Sequence, residues 1–470
     1  MKRSPVPLGS VDNEDQHRAF LSSTRKHILM ITNHGIHQWR IIPGLPDTGG
    51  QNVFVNQFTA TLAELGFRIT IANRGGYPHP VTGRPRQGLH YRDDHQRILY
   101  MEDGVDQFVR KEDIDDRIPS LVAFLSRFLE AEHTDVDLII SHYWDGAKIG
   151  VLYDRRREDR LLHAWVPHSL GAIKKRNVPR EQWERLRIDE RIAVEELLIP
   201  EVDAIAATSL AIRRALREDY AYSRDPLFLP PCVDTERYHP RAISDTHPIW
   251  EFIGERSGLA PDDVRNCRIV TEISRTDTTK RKDLLLKAFA QARQQVPDSL
   301  LVVSIDDSEE ELARDLKQLI ESLDLRKSVA AVGYVWDQLP FIYSVTDVYC
   351  TPSVMEGFGM SAQEAAATGV AVVASDRVPF VTEYLLGESP TEVVVEGCDR
   401  SLRMGDGAVV VSADDMKGFA SALEMLLADD GLRQALSECA YEKTVPYFTW
   451  RSRVPSFLKE LNVDWGSRAV

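Results

Sequence analysis

Cysteine is scarce in this chain: five in 470 residues, Cys232, Cys267, Cys350, Cys398 and Cys439, far apart and odd in number. No two stand in a CxxC spacing, so neither a structural zinc site nor a disulfide framework is indicated, and a reducing, cytoplasmic setting is the expectation. Long apolar runs are missing too. No stretch approaches the roughly 18 residues of a membrane-spanning helix, which argues against stable membrane insertion. Residues 1–25 are polar and lack a signal-peptide core, and they read as a loosely ordered, dispensable leader. Positive charge is in deficit, with 57 Lys and Arg against 72 Asp and Glu and a formal charge of -15. A general nucleic-acid or anionic-membrane surface is thereby excluded, and any phosphate chemistry must rest on local basic clusters.

What is present is ordinary core material, 43% hydrophobic and 27% charged residues, in a chain long enough for two domains. Short β-branched runs alternate with helical spacing throughout. In the first half, strands are expected at Lys26–Asn33, Arg68–Ala72, Arg97–Met101, Leu138–Ser141, Leu162–Pro167 and Ala204–Ser209, with helices at Gln51–Leu65 and Ile118–Glu132. In the second half they are expected at Arg268–Ser274, Leu300–Ser304, Ser328–Val332, Asp347–Cys350, Val370–Ala374 and Ala408–Val411. Such alternation predicts parallel, doubly wound sheets. Residues 235–265, rich in Pro, Asp, His and Gly and without a period, read as the linker, and 387–406 as an insertion.

The most informative stretch is Ser353-Val-Met-Glu-Gly-Phe-Gly-Met-Ser-Ala-Gln-Glu364. It joins a strand to a helix, the setting in which helix N-terminal amides collect a ligand's phosphates. Gly357 and Gly359 let the backbone approach a ligand, Glu356 sits at the loop tip, and Glu364 lies about one turn inside the helix. A single glutamate near a helix start is usually a structural complement to the helix dipole. Two of them eight apart around Gly-Phe-Gly-Met resemble the E-x7-E segment of retaining glycosyltransferases with the GT-B fold, two Rossmann-like domains facing across a cleft. The resemblance implies that Glu356 takes the donor hexose hydroxyls, that Glu364 takes the nucleotide ribose, and that the amides of Gly357, Phe358, Gly359 and Met360 take the hexose and diphosphate.

Other strings point the same way. Asp47-Thr-Gly-Gly-Gln51 and His168-Ser-Leu-Gly171 resemble segments of sucrose-phosphate synthase and sucrose synthase. By that likeness Gly49, Gly50 and Gln51 belong to an acceptor loop and His168 lies beside the donor hexose. His142 and Asp145 would line the acceptor pocket, and Lys174 would meet an acceptor phosphate. Arg187, Arg191 and Glu195 share one helical face in Glu184–Leu198. Such a row is ordinarily a solvated ladder, but the resemblance turns Arg191 toward the acceptor. In the second half, Arg275 and Lys280 look like the family's diphosphate-binding pair. Fixed cations suit a leaving group that gains charge. Val335, after Gly333 and Tyr334, falls where the base packs.

Several positions depart from the family pattern: Gln107 in place of a frequent lysine, Cys232 in place of glycine, and Arg281 in place of asparagine. Asp135-Val-Asp137 matches a metal-binding DxD string of another transferase class, but here it only leads into a strand. The implied organisation is a leader (1–25), an acceptor domain (26–240), a nucleotide-sugar domain (241–445) and a segment crossing back (446–470). The implied activity is retaining transfer of a hexose from a nucleotide diphosphate sugar, UDP-glucose before others, to a small sugar or sugar phosphate, with no cofactor required. Transfer to a glyceryl glycoside or glucosylglycerate is the alternative, and a nucleotide-sugar-binding regulator without turnover is a third reading.

Overall fold

The structure is a computed structural model that describes residues 11–465 except 34, 43–44, 46–47, 307–309 and 396–400. Pro46 and Asp47 of the glycine loop, Cys398 and part of the 387–406 insertion lie outside the described residues. The chain forms two compact units, residues 1–230 with 450–470, and residues 231–449.

The first unit holds strands β1 (His27–Thr32), β2 (Arg68–Arg74), β3 (Gly88–Asp93), β4 (Gln96–Met101), β5 (Leu138–His142), β6 (Leu162–Val166), β7 (Ala204–Ala207) and β8 (Leu227–Phe228). Its helices are α1 (Glu14–Ser22), α2 (Gly50–Glu64), α3 (Ile118–Glu132), α4 (Tyr143–Asp154), α5 (Gly171–Asn177), α6 (Ile188–Leu198) and α7 (Leu210–Glu218). The sheet order is β3-β4-β2-β1-β5-β6-β7-β8. Strands such as His27–Thr32 are buried along their whole length, as befits a parallel sheet covered on both faces. Edge strand β3 runs antiparallel to β4. The short turn around Asp94 and His95 makes that hairpin, so the sheet is mixed where the strand pattern alone predicted a parallel one. In the central register Thr32 lies opposite His142, and His142 opposite Val166. The carboxyl ends of β1, β5 and β6 therefore come level, where open α/β sheets bind ligands. Asp137, in the DxD string, accepts the His27 N–H at 2.7 Å and anchors β1.

Residues 11–25 do not behave as a loose leader. Val11 bridges to Leu89, Asn13 caps α1, and Phe20 is fully buried with the Arg97 guanidinium 4.1 Å from its ring centre. Arg97 is itself buried and paired with Glu132 at 2.6 and 2.9 Å. The apolar ring of Phe20 covers this ion pair, and one aromatic in a polar run was too weak a signal to reveal it.

The second unit holds β9 (Arg268–Glu272), β10 (Ser299–Ser304), β11 (Val329–Val332), β12 (Val348–Thr351), β13 (Ala371–Ser375), β14 (Thr391–Val393), β15 (Leu402–Met404) and β16 (Ala408–Val411), in the order β11-β10-β9-β12-β13-β16-β15-β14. Strands β14 and β15 add antiparallel edges. The helices are α8 (Pro248–Ser257), α9 (Pro261–Asn266), α10 (Lys282–Ala292), α11 (Glu310–Ser322), α12 (Leu339–Ser344), α13 (Met360–Ala367), α14 (Met416–Ala428) and α15 (Asp430–Thr444). Much of the expected 235–265 linker is thus helical. Pro248 and Pro261 each open a helix, Gly258 at φ 72 closes the first, and Ile249 and Ile253 are buried as α8 packs against β11. The last helix, α16 (Trp450–Glu460), belongs to the first unit and packs on α2. There Trp450 stacks on Phe58 at 5.7 Å and donates to Gln57 at 3.0 Å.

Candidate active site

In the first unit the candidate residues gather at the carboxyl ends of β1, β5 and β6. His168 follows Pro167 in the left-handed region at φ 53, rare for a residue with a β-carbon. Its Nε2 lies 2.8 Å from His142 Nδ1, the two rings stack at 5.1 Å, and Phe54 meets His168 edge-on at 4.9 Å. His142 is fully buried. Stacked on His168, it has no exposed surface of its own, where the resemblance implied that it lines an acceptor pocket. Burial, reinforced by the neighbouring His168 and His37, drives the His142 imidazole well below the usual histidine range. His142 is therefore neutral near pH 7 and stays hydrogen-bonded to the His168 ring.

The chain after His168 is clamped from below. Arg191 pairs with Glu195 at 2.8 Å and donates to the Ser169 carbonyl at 2.6 Å and hydroxyl at 3.0 Å. Glu195 in turn accepts the Gly171 N–H at 2.8 Å and the Tyr220 hydroxyl. A β-carbon on Gly171 would meet Ile192 at 2.7 Å, so only glycine allows this approach. Arg191 and Glu195 are buried, and the solvated-ladder reading of their row is corrected. Helix α6 begins at Ile188, with Arg187 in the left-handed region before it. Arg191 still reaches a pocket that it lines with Lys111, Glu112, Trp144, Lys174 and Arg187.

Three carboxylates, Glu112, Asp115 and Glu190, line that pocket too. Glu112 lies 3.8 Å from both Lys111 and Lys174 and 3.4 Å from Arg110. A second pocket shares Lys111 and adds Asn33, Gly35, Arg74, Phe108 and the buried Asp145 in the first turn of α4. Arg74 holds the intervening loop, with bonds to Asp103 at 2.9 and 3.0 Å and to the Gln107 carbonyl at 2.9 Å. Lys111, Glu112 and Arg74 were not anticipated from the sequence. The run Arg110-Lys111-Glu112, three residues past Gln107, was the available signal. Gly49 and Gly50 open α2, with the Gly49 N–H on Asn52 at 2.9 Å, and Gln51 bonds Thr32.

In the second unit the structure brings Lys280 and Glu356 into direct contact as a partly buried ion pair. Arg275, on the same loop, is exposed. The two loops that carry the pair are laced together: the Val354 N–H donates to the Thr279 carbonyl at 2.8 Å, as does the Ser353 hydroxyl at 3.3 Å. Gly359 opens α13 at φ 109, and a β-carbon there would lie 2.5 Å from Val378. Gly357 faces open space. Phe358 points into the unit, 5.5 Å from Phe380, so it presents backbone rather than ring. Val335 is likewise buried, its carbonyl accepting the Leu339 N–H at 2.7 Å.

Glu364 lies in the second turn of α13. Burial pushes its carboxyl up to about 8, against the opposing pull of the Arg237 guanidinium and the Tyr343 and Tyr238 hydroxyls. At neutral pH such a carboxyl is mostly protonated, so it can both donate and accept a hydrogen bond.

Two α/β units of this topology, with a glycine-rich turn and paired glutamates at the mouth of a helix, fit the GT-B fold. Residues 48–237 match the Glycosyltransferase Family 4 profile and residues 264–443 the Glycosyl transferases group 1 profile. The chain is a GT-B glycosyltransferase of the family 4 type. It is 27% identical over 439 residues to mannosylfructose-phosphate synthase of Agrobacterium fabrum, covering 90% of this chain and 88% of that one. It is also 27% identical over 422 residues to a D-inositol 3-phosphate glycosyltransferase of Corynebacterium aurimucosum, covering 87% and 89%. Among solved structures, sucrose-phosphate synthase from Thermosynechococcus elongatus superposes with a TM-score of 0.73 at 21% identity, over 93% of this chain and 98% of that one. Anabaena HepE in complex with UDP and glucose superposes at 0.64 and 15% identity, over 93% and 100%. These two likenesses concern the fold.

Proposed function

We propose that the protein is a retaining hexosyltransferase that moves glucose from UDP-glucose to a small sugar or sugar-phosphate acceptor in the cytoplasm. The observation that carries the reading is the Lys280–Glu356 pair at the mouth of α13, flanked by Gly357 and Gly359 and backed by Glu364. In this reading Arg275, Lys280 and the first amides of α13 meet the diphosphate as it gains charge. Glu356 and His168 take hexose hydroxyls, and Glu364 takes the ribose diol. The bond from the anomeric carbon to the diphosphate oxygen breaks, and the acceptor hydroxyl attacks on the same face. Its proton passes to the departing diphosphate. Side chains contribute by position and charge, and no carboxylate needs to form a covalent intermediate.

The first unit supplies the acceptor side through Gly49, Gly50, Gln51, Asp145 and Lys174, with Arg191 behind the loop. Names such as mannosylfructose-phosphate synthase support a phosphorylated acceptor. Glu112, set between Lys111 and Lys174, favours a second reading, because it already neutralises cations that a phosphate dianion would need. An uncharged or singly charged acceptor, such as a glyceryl glycoside or glucosylglycerate, then fits better.

The test is release of nucleoside diphosphate from UDP-, ADP- and GDP-hexoses in the presence of fructose 6-phosphate, fructose, glycerate or glucosylglycerate, with the product anomer read by NMR. Acceptor-dependent release with retained configuration is expected, and an inverted product would overturn the mechanism. Lys280→Ala should lower turnover by on the order of a hundredfold, the loss typical of one preorganised charge donor. Near-normal turnover in that variant removes Lys280 from the site.

A further inference from the structure

Beneath the loop that carries Arg275 and Lys280 lies a second ion pair, this one buried. Lys282 is the first residue of α10 and Glu272 the last of β9, and they are 3% and 0% exposed. The Lys282 ammonium donates to Glu272 Oε2 at 2.7 Å, to Ser304 Oγ at 2.8 Å and to the Ser274 carbonyl at 3.1 Å, which uses all three of its donors. Ser304, at the end of β10, accepts the Ser274 N–H at 2.9 Å and donates back to the Ser274 carbonyl at 2.5 Å. Glu272 Oε1 is buried without a hydrogen-bond partner among the described residues.

Stability does not account for this arrangement. Removing two charges from water is expensive, and apolar side chains of similar volume usually serve a core as well or better. The half-unpaired carboxylate makes the case sharper. What apolar side chains cannot do is grip Ser274 on both its N–H and its carbonyl side. The pair and Ser304 together bolt the start of the loop to the ends of two strands. Lys282 turned inward, with Arg281 in the left-handed region at φ 51, sends Lys280 the other way, onto Glu356. The middle of the loop is fixed separately, by Thr276 on Asp306 at 3.1 Å and by Thr279 on Val354 at 2.8 Å.

We propose that Lys282 and Glu272 are positioning residues that set Arg275 and Lys280 for a nucleoside diphosphate. The inference rests on the reading of those two cations as ligands of the donor's phosphates. Loosening the bolt should weaken the grip on the terminal phosphate while leaving the nucleoside and its first phosphate bound as before.

The test is the double variant Glu272→Leu/Lys282→Met. It avoids the lone buried carboxylate that Lys282→Met alone would leave. Binding of UDP, ADP and GDP is measured by titration calorimetry against UMP, AMP and GMP, together with the melting temperature of each variant. The melting temperature is expected to hold or rise, the diphosphate Kd to increase by about tenfold to a hundredfold, the penalty of a small misplacement, and the monophosphate Kd to stay unchanged. Ser304→Ala, which keeps both charges, should shift diphosphate binding the same way by a smaller factor. Unchanged diphosphate binding in both variants overturns the inference. So does a parallel loss for diphosphate and monophosphate, the mark of general loosening. Lys280→Ala separates the two levels: if it leaves diphosphate binding intact, or if the unaltered protein binds none of the three diphosphates, the reading of the loop fails and the inference with it. If Lys280→Ala weakens binding and the other variants do not, only the positioning role falls.

Discussion

Replacing Glu364 by glutamine should flatten the dependence of stability on pH in the neutral range. In the folded chain the carboxyl titrates at about 8, against an ordinary value of 4.5. Between those values the native state holds a proton that the unfolded state has released. Stability falls with rising pH wherever the native state binds more protons, so this group opposes folding progressively from about pH 4.5 to about pH 8. At 1.36 kcal/mol per unit of displacement the full effect is on the order of 4–5 kcal/mol. Glutamine carries no titrating proton in either state, so its contribution is level across the window. Urea unfolding followed by circular dichroism at pH 5, 6, 7 and 8 should therefore show the two proteins alike at the acid end and Glu364→Gln increasingly the more stable toward pH 8. Parallel curves would mean that the carboxyl is ionised throughout and would refute the argument. The site reading adds a second readout. Ribose hydroxyls donate to the ionised form and lower its pKa on binding, so nucleotide binding at pH 7 should release a proton, seen as a dependence of the calorimetric heat on buffer ionisation. Glu364→Gln should abolish that release.

Two other perturbations test parts of the first unit. Phe20→Ala removes the ring that seals Arg97 and Glu132 and should destabilise the protein by about 3–5 kcal/mol, the usual penalty for deleting a buried phenylalanine. An unchanged melting temperature would restore the picture of a dispensable leader. Glu112→Gln removes one negative charge from beside Arg110, Lys111 and Lys174, and it should lower KM for fructose 6-phosphate severalfold while leaving KM for fructose unaltered, an effect that shrinks in high salt. Equal KM changes for both sugars would take Glu112 out of acceptor selection.

What could be read from the sequence and what could not divide along a physical line. Features set by neighbours in the chain were legible. Gly357 and Gly359 between a strand and a helix, the alternation that makes two sheets, and the strand-end positions of His142 and His168 all follow from local steric and periodic rules. Features set by what covers a residue were not. The row Arg187, Arg191, Glu195 has the spacing of a solvated helix face, yet Arg191 and Glu195 lie under the Ser169–Gly171 turn. Polar composition made a linker of 235–265, although Pro248, Gly258 and Pro261 mark helix ends there. Lys280 and Lys282 make the point most sharply. They are the same residue two positions apart in one charge cluster, and each pairs with a glutamate. A cluster in a sequence carries no information about depth. The left-handed turn at Arg281 sends one lysine onto Glu356 of the neighbouring loop and the other onto Glu272 at the strand end. Only the register of β9 against β10, which places Glu272 beside the strand end at Ser304, creates the buried partner that makes the second orientation tolerable.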